Sequence, residues 1–234
     1  MVSYFIKRFT ILELLVVISI IMILASLLLP ALRNAKIAAK RTQCAGNMRQ
    51  IGILMSQYVD ENNGWYPYAY NINDKYKFWA GKLVSGSGLK NFELFICPGN
   101  SHVNPDLYNG SLEARLTANG LLGYVSYGVN QYGTCPTVSV TTCAVKARAF
   151  PSDLMLAMDS DVDTAGYDGW YVSASDLFVS GGSALNSTFL MERHNRRFNL
   201  LYVDGHLAPA DIKDLQVGSP ATNPPWYRKK YCTP

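Results

Sequence analysis

His194 is followed by nine residues and then by Asp204, Gly205 and His206. An imidazole and a carboxylate can hold a metal or move protons. Hydrolysis would further need a nucleophile or a complete metal set, and no spacing here supplies either, so no enzyme is expected. The plainer reading is structural: Asp204-Gly205 sets a turn and His194 hydrogen-bonds the hairpin. A second cluster is Asp159, Asp161 and Asp163, with Asp168 beyond. Alternate carboxylates on a loop suit a hard cation, which makes Ca2+ the one cofactor candidate. An EF-hand would need Gly at the sixth loop position and Glu at the twelfth, where Thr164 and Trp170 stand. The competing reading is a solvated acidic turn.

The chain has five cysteines: Cys44, Cys97, Cys135, Cys143 and Cys232. No Cys-x-x-Cys pair occurs and, apart from His102 five residues after Cys97, the histidines lie far from the cysteines, which argues against a structural zinc site. Outside the cytoplasm, one or two disulfides are expected and one thiol is left over. Cys135 and Cys143 are the easiest pair to close, and Cys44 with Cys97 is a second candidate. Spacing alone fixes neither.

Glu13 is the third anomaly. It stands at the edge of sixteen uncharged residues, Leu14 to Leu29, followed by Pro30. A carboxylate in a membrane span costs up to about 3 kcal/mol at the centre and less near an end. Glu13 either reaches the headgroups or pairs with a positive group brought by another chain.

These residues need an element to position them. Phe9 to Leu32 as a helix would reach about 36 Å, enough for a bilayer core of about 30 Å. Lys7 and Arg8 precede it, and Arg33, Lys36, Lys40 and Arg41 follow. The helical pattern continues through Ala35, Ala38, Ala39, Thr42, Ala45, Met48, Ile51, Met55 and Tyr58 until Asn62-Asn63-Gly64 breaks it. The small residues between Ala31 and Ala45 suit close helix–helix approach. The expected helix covers residues 9–60, with a span at 9–32, and its stretch from Phe9 to Val59 would be about 76 Å long.

Composition agrees. Hydrophobic residues make up 49% and charged ones 16% of 234 residues, which excludes a disordered tail. Of the 21 Lys and Arg, seven fall in residues 1–60 against two acidic side chains, so the basic excess sits beside the apolar run. The remainder is near neutral, and no nucleic-acid partner is expected.

From residue 65 the composition shifts to Tyr, Gly, Asn, Ser and Pro. Short apolar runs alternate with turn residues: 94–96, 123–129, 154–158, 170–172 and 198–203. They predict an irregular, mostly antiparallel β head over 61–234. Asp204-Gly205 reads as a two-residue hairpin loop. Trp65, Tyr66, Tyr68, Tyr70, Tyr76, Phe78 and Trp79 crowd one region, as a small core, as subunit contacts or as a sugar-binding platform.

The stretch Arg8-Phe9-Thr10-Ile11-Leu12-Glu13-Leu14-Leu15-Val16-Val17-Ile18 resembles the N-terminal signal of type IV prepilins and type II secretion pseudopilins. The resemblance implies a leader at 1–8, a peptidase cut between Arg8 and Phe9, and methylation of the Phe9 amine. It also implies assembly through Glu13 and a helix carrying Pro30. The family usually has Gly where Arg8 stands, and a bulky cation there works against the cut. Arg193 to His206 resembles the His-x9-Asp-Gly segment (194–205 here) of prepilin-like proteins with a processing-associated C-terminal domain. Cys44 to Gly52, Phe95 to Pro98, Ser126 to Asn130 and Phe150 to Ser160 look similar too.

The implied fold is α+β and pilin-like: a long N-terminal helix, membrane-inserted in its first half, packed on an irregular antiparallel sheet. The implied function is a structural subunit of a type IV pilus or type II secretion pseudopilus. Its partners would be copies of itself, other pilins or pseudopilins, the prepilin peptidase and, before assembly, the bacterial inner membrane. The head would lie in the periplasm or outside the cell. The rival expectation is an uncleaved, membrane-anchored surface module with a glycan- or substrate-binding aromatic head.

Overall fold

A single helix, α1, runs from Ile11 to Glu61, 51 residues. The computed structural model of the chain describes residues 10–69, 71, 73–76, 78–89, 92–99, 125–130, 147, 152, 154–159, 171–172, 194 and 197–211. The helix begins at a run of straight-chain and β-branched apolar residues and stops where Asn63 and Gly64 both adopt positive φ. Pro30 lies inside it. Proline has no N–H to give to the carbonyl four residues back, yet the helix remains continuous. Ser19 and Ser26 give their hydroxyls to the carbonyls of Val16 and Ile23, so neither is left unpaired on an apolar surface.

The chain divides into two compact units, Met1–Ala39 and Lys40–Pro234. In the first, the described side chains are almost all exposed, including the large apolar ones from Ile11 to Leu32. This is the one helix among the described residues long and apolar enough to cross a membrane.

In the second unit, Cys44, Met48, Ile51 and Met55 recur at helical spacing and are buried on one face of α1. They join a core that includes Trp79, Phe95, Tyr127, Leu156 and Leu201. Gly52 lets a strand come close: a Cβ there would stand 3.2 Å from Leu201 Cδ1.

The sheet has the order β3-β1-β2-β4-β5. Its strands are β1 (Tyr127–Asn130), β2 (Met155–Asp159), β3 (Tyr171–Val172), β4 (Arg197–Tyr202) and β5 (Leu207–Asp211). Pairings β1–β2, β2–β4 and β4–β5 are antiparallel, and β3 joins β1 in parallel. Strands β1 and β2 are buried along their whole length, so their apolar residues run on rather than alternate. The architecture is α+β, a long helix with a mostly antiparallel sheet.

Three local expectations are corrected. Residues 94–96 do not form a strand: Glu93–Phe95 is a 3-10 turn, closed by the Ile96 N–H on the Glu93 carbonyl. It seats the Phe95 ring 5.5 Å from Trp79 and 4.8 Å from Phe92. The aromatic stretch ends in a helix, α2 (Trp79–Ser87), which stops at Gly88 in the left-handed region. The Asp204-Gly205 loop has three residues, not two. The Gly205 N–H donates to the Tyr202 carbonyl, Gly205 takes φ 86°, and the Tyr202 N–H then meets the His206 carbonyl. That is the three-residue hairpin with a left-handed glycine.

Candidate functional site

At the start of α1, Thr10 and Glu13 hold each other. The Glu13 carboxylate accepts from the Thr10 N–H at 2.9 Å and from its hydroxyl at 3.0 Å, while the Glu13 N–H donates to the Thr10 hydroxyl at 3.2 Å. This is a reciprocal capping box, Thr-x-x-Glu, in which both residues satisfy orphan N–H groups. Glu13 therefore has a local role beside any role toward another chain. Arg8 and Phe9, the expected cleavage and methylation positions, lie outside the described residues.

Among the described residues, the strongest convergence of chemically competent groups is in the second unit. Cys44 and Cys97 form a disulfide that bridges 53 positions of sequence. It ties α1 to the segment just after the Glu93–Phe95 turn. Three residues along, the Asn47 amide donates to the Ile96 carbonyl and to the Tyr127 hydroxyl. The Phe95 carbonyl in turn accepts the Ser126 N–H just before β1. By the chain-entropy estimate a bridge of this span stabilises the fold by about 4 kcal/mol. Cys135 and Cys143, the pair expected first, lie outside the described residues.

His194 faces this bridge. Its Nε2 is 3.1 Å from Cys97 Sγ, and the residue is buried with a φ of 48°. A non-glycine residue in the left-handed region is strained by about 1 kcal/mol or more, which its surroundings must hold in place. Gly99 completes the approach. Its N–H donates to Cys97 Sγ at 3.3 Å, and a Cβ on it would stand 2.8 Å from His194 Cε1. Only glycine leaves room for the imidazole there.

Asp159 comes from the sheet. It ends β2, is buried, and its Oδ2 accepts the Asn199 backbone N–H at 2.7 Å and side-chain amide at 3.1 Å. The β2–β4 register runs to Met158 opposite Leu200, so the Asp159 side chain takes the next N–H of β4 where the ladder stops. Asp159 is thus not part of a solvated loop. Asp161, Asp163 and Asp168, its expected companions in a calcium site, lie outside the described residues. One potential ligand atom from each of Cys44, Cys97, Asp159 and His194 lies within 4.8 Å of the others.

The far end of the His-x9-Asp-Gly segment does separate work. Asp204 is exposed in the β4–β5 turn, where its Oδ1 accepts the His206 N–H at 3.0 Å and meets His206 Nδ1 at 2.5 Å. That N–H holds the Asp204 carboxyl below its usual range; slight desolvation opposes this, and the His206 side chain adds to the lowering. The His206 ring stacks on Tyr202 at 4.1 Å. His194 thus bonds the disulfide, and Asp204 sets the turn.

Of the aromatic crowd, Phe78 and Trp79 are buried, Tyr66 and Tyr76 pack on the core, and Trp65 is the most exposed of those described. Tyr70 lies outside the described residues. Beside them Lys82 closes on Asp74 at 2.6 Å and stands 5.9 Å from the Tyr68 ring. Compared with known proteins, the chain matches no family model, no curated protein and no solved structure.

Proposed function

We propose that the protein is a pilin-like structural subunit, stored in a membrane through the first half of α1 and assembled by packing that half against other copies. The observation that carries this reading is the run of exposed apolar side chains from Ile11 to Leu32 on one unbroken helix. So large an apolar surface needs lipid or protein cover. Lipid supplies it for a single chain, and neighbouring helices supply it in a filament. Small residues following Pro30 favour the second arrangement. The same helix goes on to build the core of the head through Cys44, Met48, Ile51 and Met55. The buried Cys44–Cys97 bridge supports a head that matures in an oxidising compartment.

In a filament Glu13 leaves the headgroups for a dry interface. A buried carboxylate needs a positive partner, and a Phe9 amine freed by cleavage after Arg8 would provide one. The Thr10–Glu13 box presents the carboxylate at the right end of the helix for that contact.

A second reading is the uncleaved, membrane-anchored surface module. One observation favours it: the Glu13 carboxylate is already satisfied by Thr10 within its own helix. Intact mass and N-terminal sequencing of native protein, from membranes and from material sheared off cells, separate the two. A chain beginning at a methylated Phe9 in the sheared fraction is the result expected of a filament subunit. A chain beginning at Met1 and confined to membranes would overturn it in favour of the anchored module.

A further inference from the structure

We propose that Cys44, Cys97, His194 and Asp159 form a zinc-binding site in the reduced head, and that the disulfide and the bound metal are alternative states of one centre. The proposal does not depend on filament assembly.

The donor set is the first argument. Two thiolates, an imidazole and a carboxylate are ordinary ligands for Zn2+, and four donors close its tetrahedron. They come from four separate segments: α1, the loop after the 3-10 turn, the end of β2 and the approach to β4. All four residues are buried, and their potential ligand atoms lie within 4.8 Å of one another. Ligand atoms around tetrahedral zinc stand about 3.3–3.8 Å apart, given bonds of about 2.0–2.3 Å. Opening the sulfur–sulfur bond and drawing the other donors in by about 1 Å would reach that geometry.

The surroundings are the second argument. A site with two thiolates, one carboxylate and Zn2+ carries a net charge of −1, which burial opposes unless donors face it. They do. The Gly99 N–H points at Cys97 Sγ, and both Asn199 donors hold Asp159. An N–H aimed at sulfur stabilises a thiolate more than a neutral disulfide sulfur. Gly99 also makes room for the imidazole beside that sulfur. Such second partners orient ligands in known metal sites.

The interconversion balances. A small dithiol gives two electrons and two protons to the Cys44–Cys97 bond and leaves as its own disulfide, producing two thiols. Zn2+ then displaces both thiol protons to water. In the disulfide state His194 gives its Nε2 proton toward Cys97 Sγ. In the metal state that proton sits on Nδ1, and the Nε2 lone pair faces the ion.

The test uses the full chain in detergent, with Cys135, Cys143 and Cys232 changed to Ser. Reduced by a dithiol and then freed of it, the chain is titrated anaerobically with Co2+ as a spectroscopic stand-in for zinc. The expected result is one cobalt per chain, with thiolate-to-cobalt charge transfer and the intense visible bands of a tetrahedral ion, displaced by Zn2+. The oxidised chain should show neither. Cys97→Ser should abolish the charge transfer, and His194→Ala or Asp159→Asn should weaken binding at least about tenfold, the loss usual even for an outer partner. A reduced chain without charge transfer, or the same spectrum and affinity in these variants, would overturn the proposal. Alkylation mapping needs no ligand variant: Zn2+ must slow labelling of both Cys44 and Cys97, and equal labelling with and without Zn2+ would also overturn it.

Discussion

His194 Nε2 lies 3.1 Å from Cys97 Sγ, although 97 residues separate the two in sequence. The contact explains why the histidine of the His-x9-Asp-Gly segment is buried while the aspartate at its other end is exposed. The histidine belongs to the disulfide and the aspartate to the turn. The segment is one stretch of sequence with two structural jobs, joined by β4.

Gly99 is the point where that contact can be tested by size alone. In Gly99→Ala the new methyl would stand 2.8 Å from His194 Cε1 and 3.3 Å from Cys97 Sγ. One partner must shift, and overpacking of this kind costs about 1–3 kcal/mol. Urea unfolding of the oxidised full chain in detergent should show that loss. His194→Ala in the same chain should recover part of it. Additive losses in the double variant would mean the methyl and the imidazole do not meet.

Much of the fold was legible from residue order. The apolar run and the Asn62-Asn63-Gly64 stop mark α1 because a long helix needs only local pattern and a local breaker. The runs at 154–158 and 198–203 became β2 and β4 for the same reason. Helix α2 was not legible, since Gly81, Ser85, Gly86 and Ser87 are poor helix formers and its Trp79, Leu83 and Val84 face is set by burial. The disulfide centre was hidden more deeply. Its four residues come from four segments, and no spacing rule reaches across a fold. Thr10-Ile11-Leu12-Glu13 did spell a capping box in plain sequence. The charge of Glu13 at the edge of an apolar run masks that signal.

The close approach of α1 to β4 gives a second size test. Gly52→Leu places a branched side chain where a Cβ already comes within 3.2 Å of the buried Leu201. Circular dichroism during urea unfolding should report a loss of about 1–3 kcal/mol. Leu201→Ala in the same background should give part of it back. An unchanged midpoint in the single variant would show that α1 and β4 can separate without cost.

Asp74 and Lys82 supply the pH test. Burial alone would raise the Asp74 carboxyl, but the Lys82 hydrogen bond, the Tyr76 N–H and the Lys82 charge outweigh it and hold the group below its usual range. A carboxylate lowered in the folded state adds stability above its unfolded pKa, and loses it as pH falls through the folded one. Wild type should therefore melt higher than Asp74→Asn at neutral pH. The gap should close as pH falls below about 4, the ordinary carboxylate range. A gap independent of pH would mean that the Asn variant is destabilised by something other than charge.

One substitution can separate the cap that Glu13 forms with Thr10 from its proposed part in assembly. Glutamine at the third helical position still completes a capping box, because its side-chain oxygen accepts from the Thr10 N–H. Glu13→Gln therefore keeps the helix start and removes only the charge. In a filament subunit the charge is what pairs with a neighbouring amine, so Glu13→Gln should insert into membranes normally and fail to appear in sheared filaments. Thr10→Ala removes the hydroxyl but not the carboxylate. It should cost about 1 kcal/mol in helix stability, the usual value of a cap, and leave assembly largely intact. Quantifying both variants in membrane and sheared fractions decides the matter. Equal recovery of wild type and Glu13→Gln in the sheared fraction would reduce Glu13 to a cap and remove it from any account of assembly.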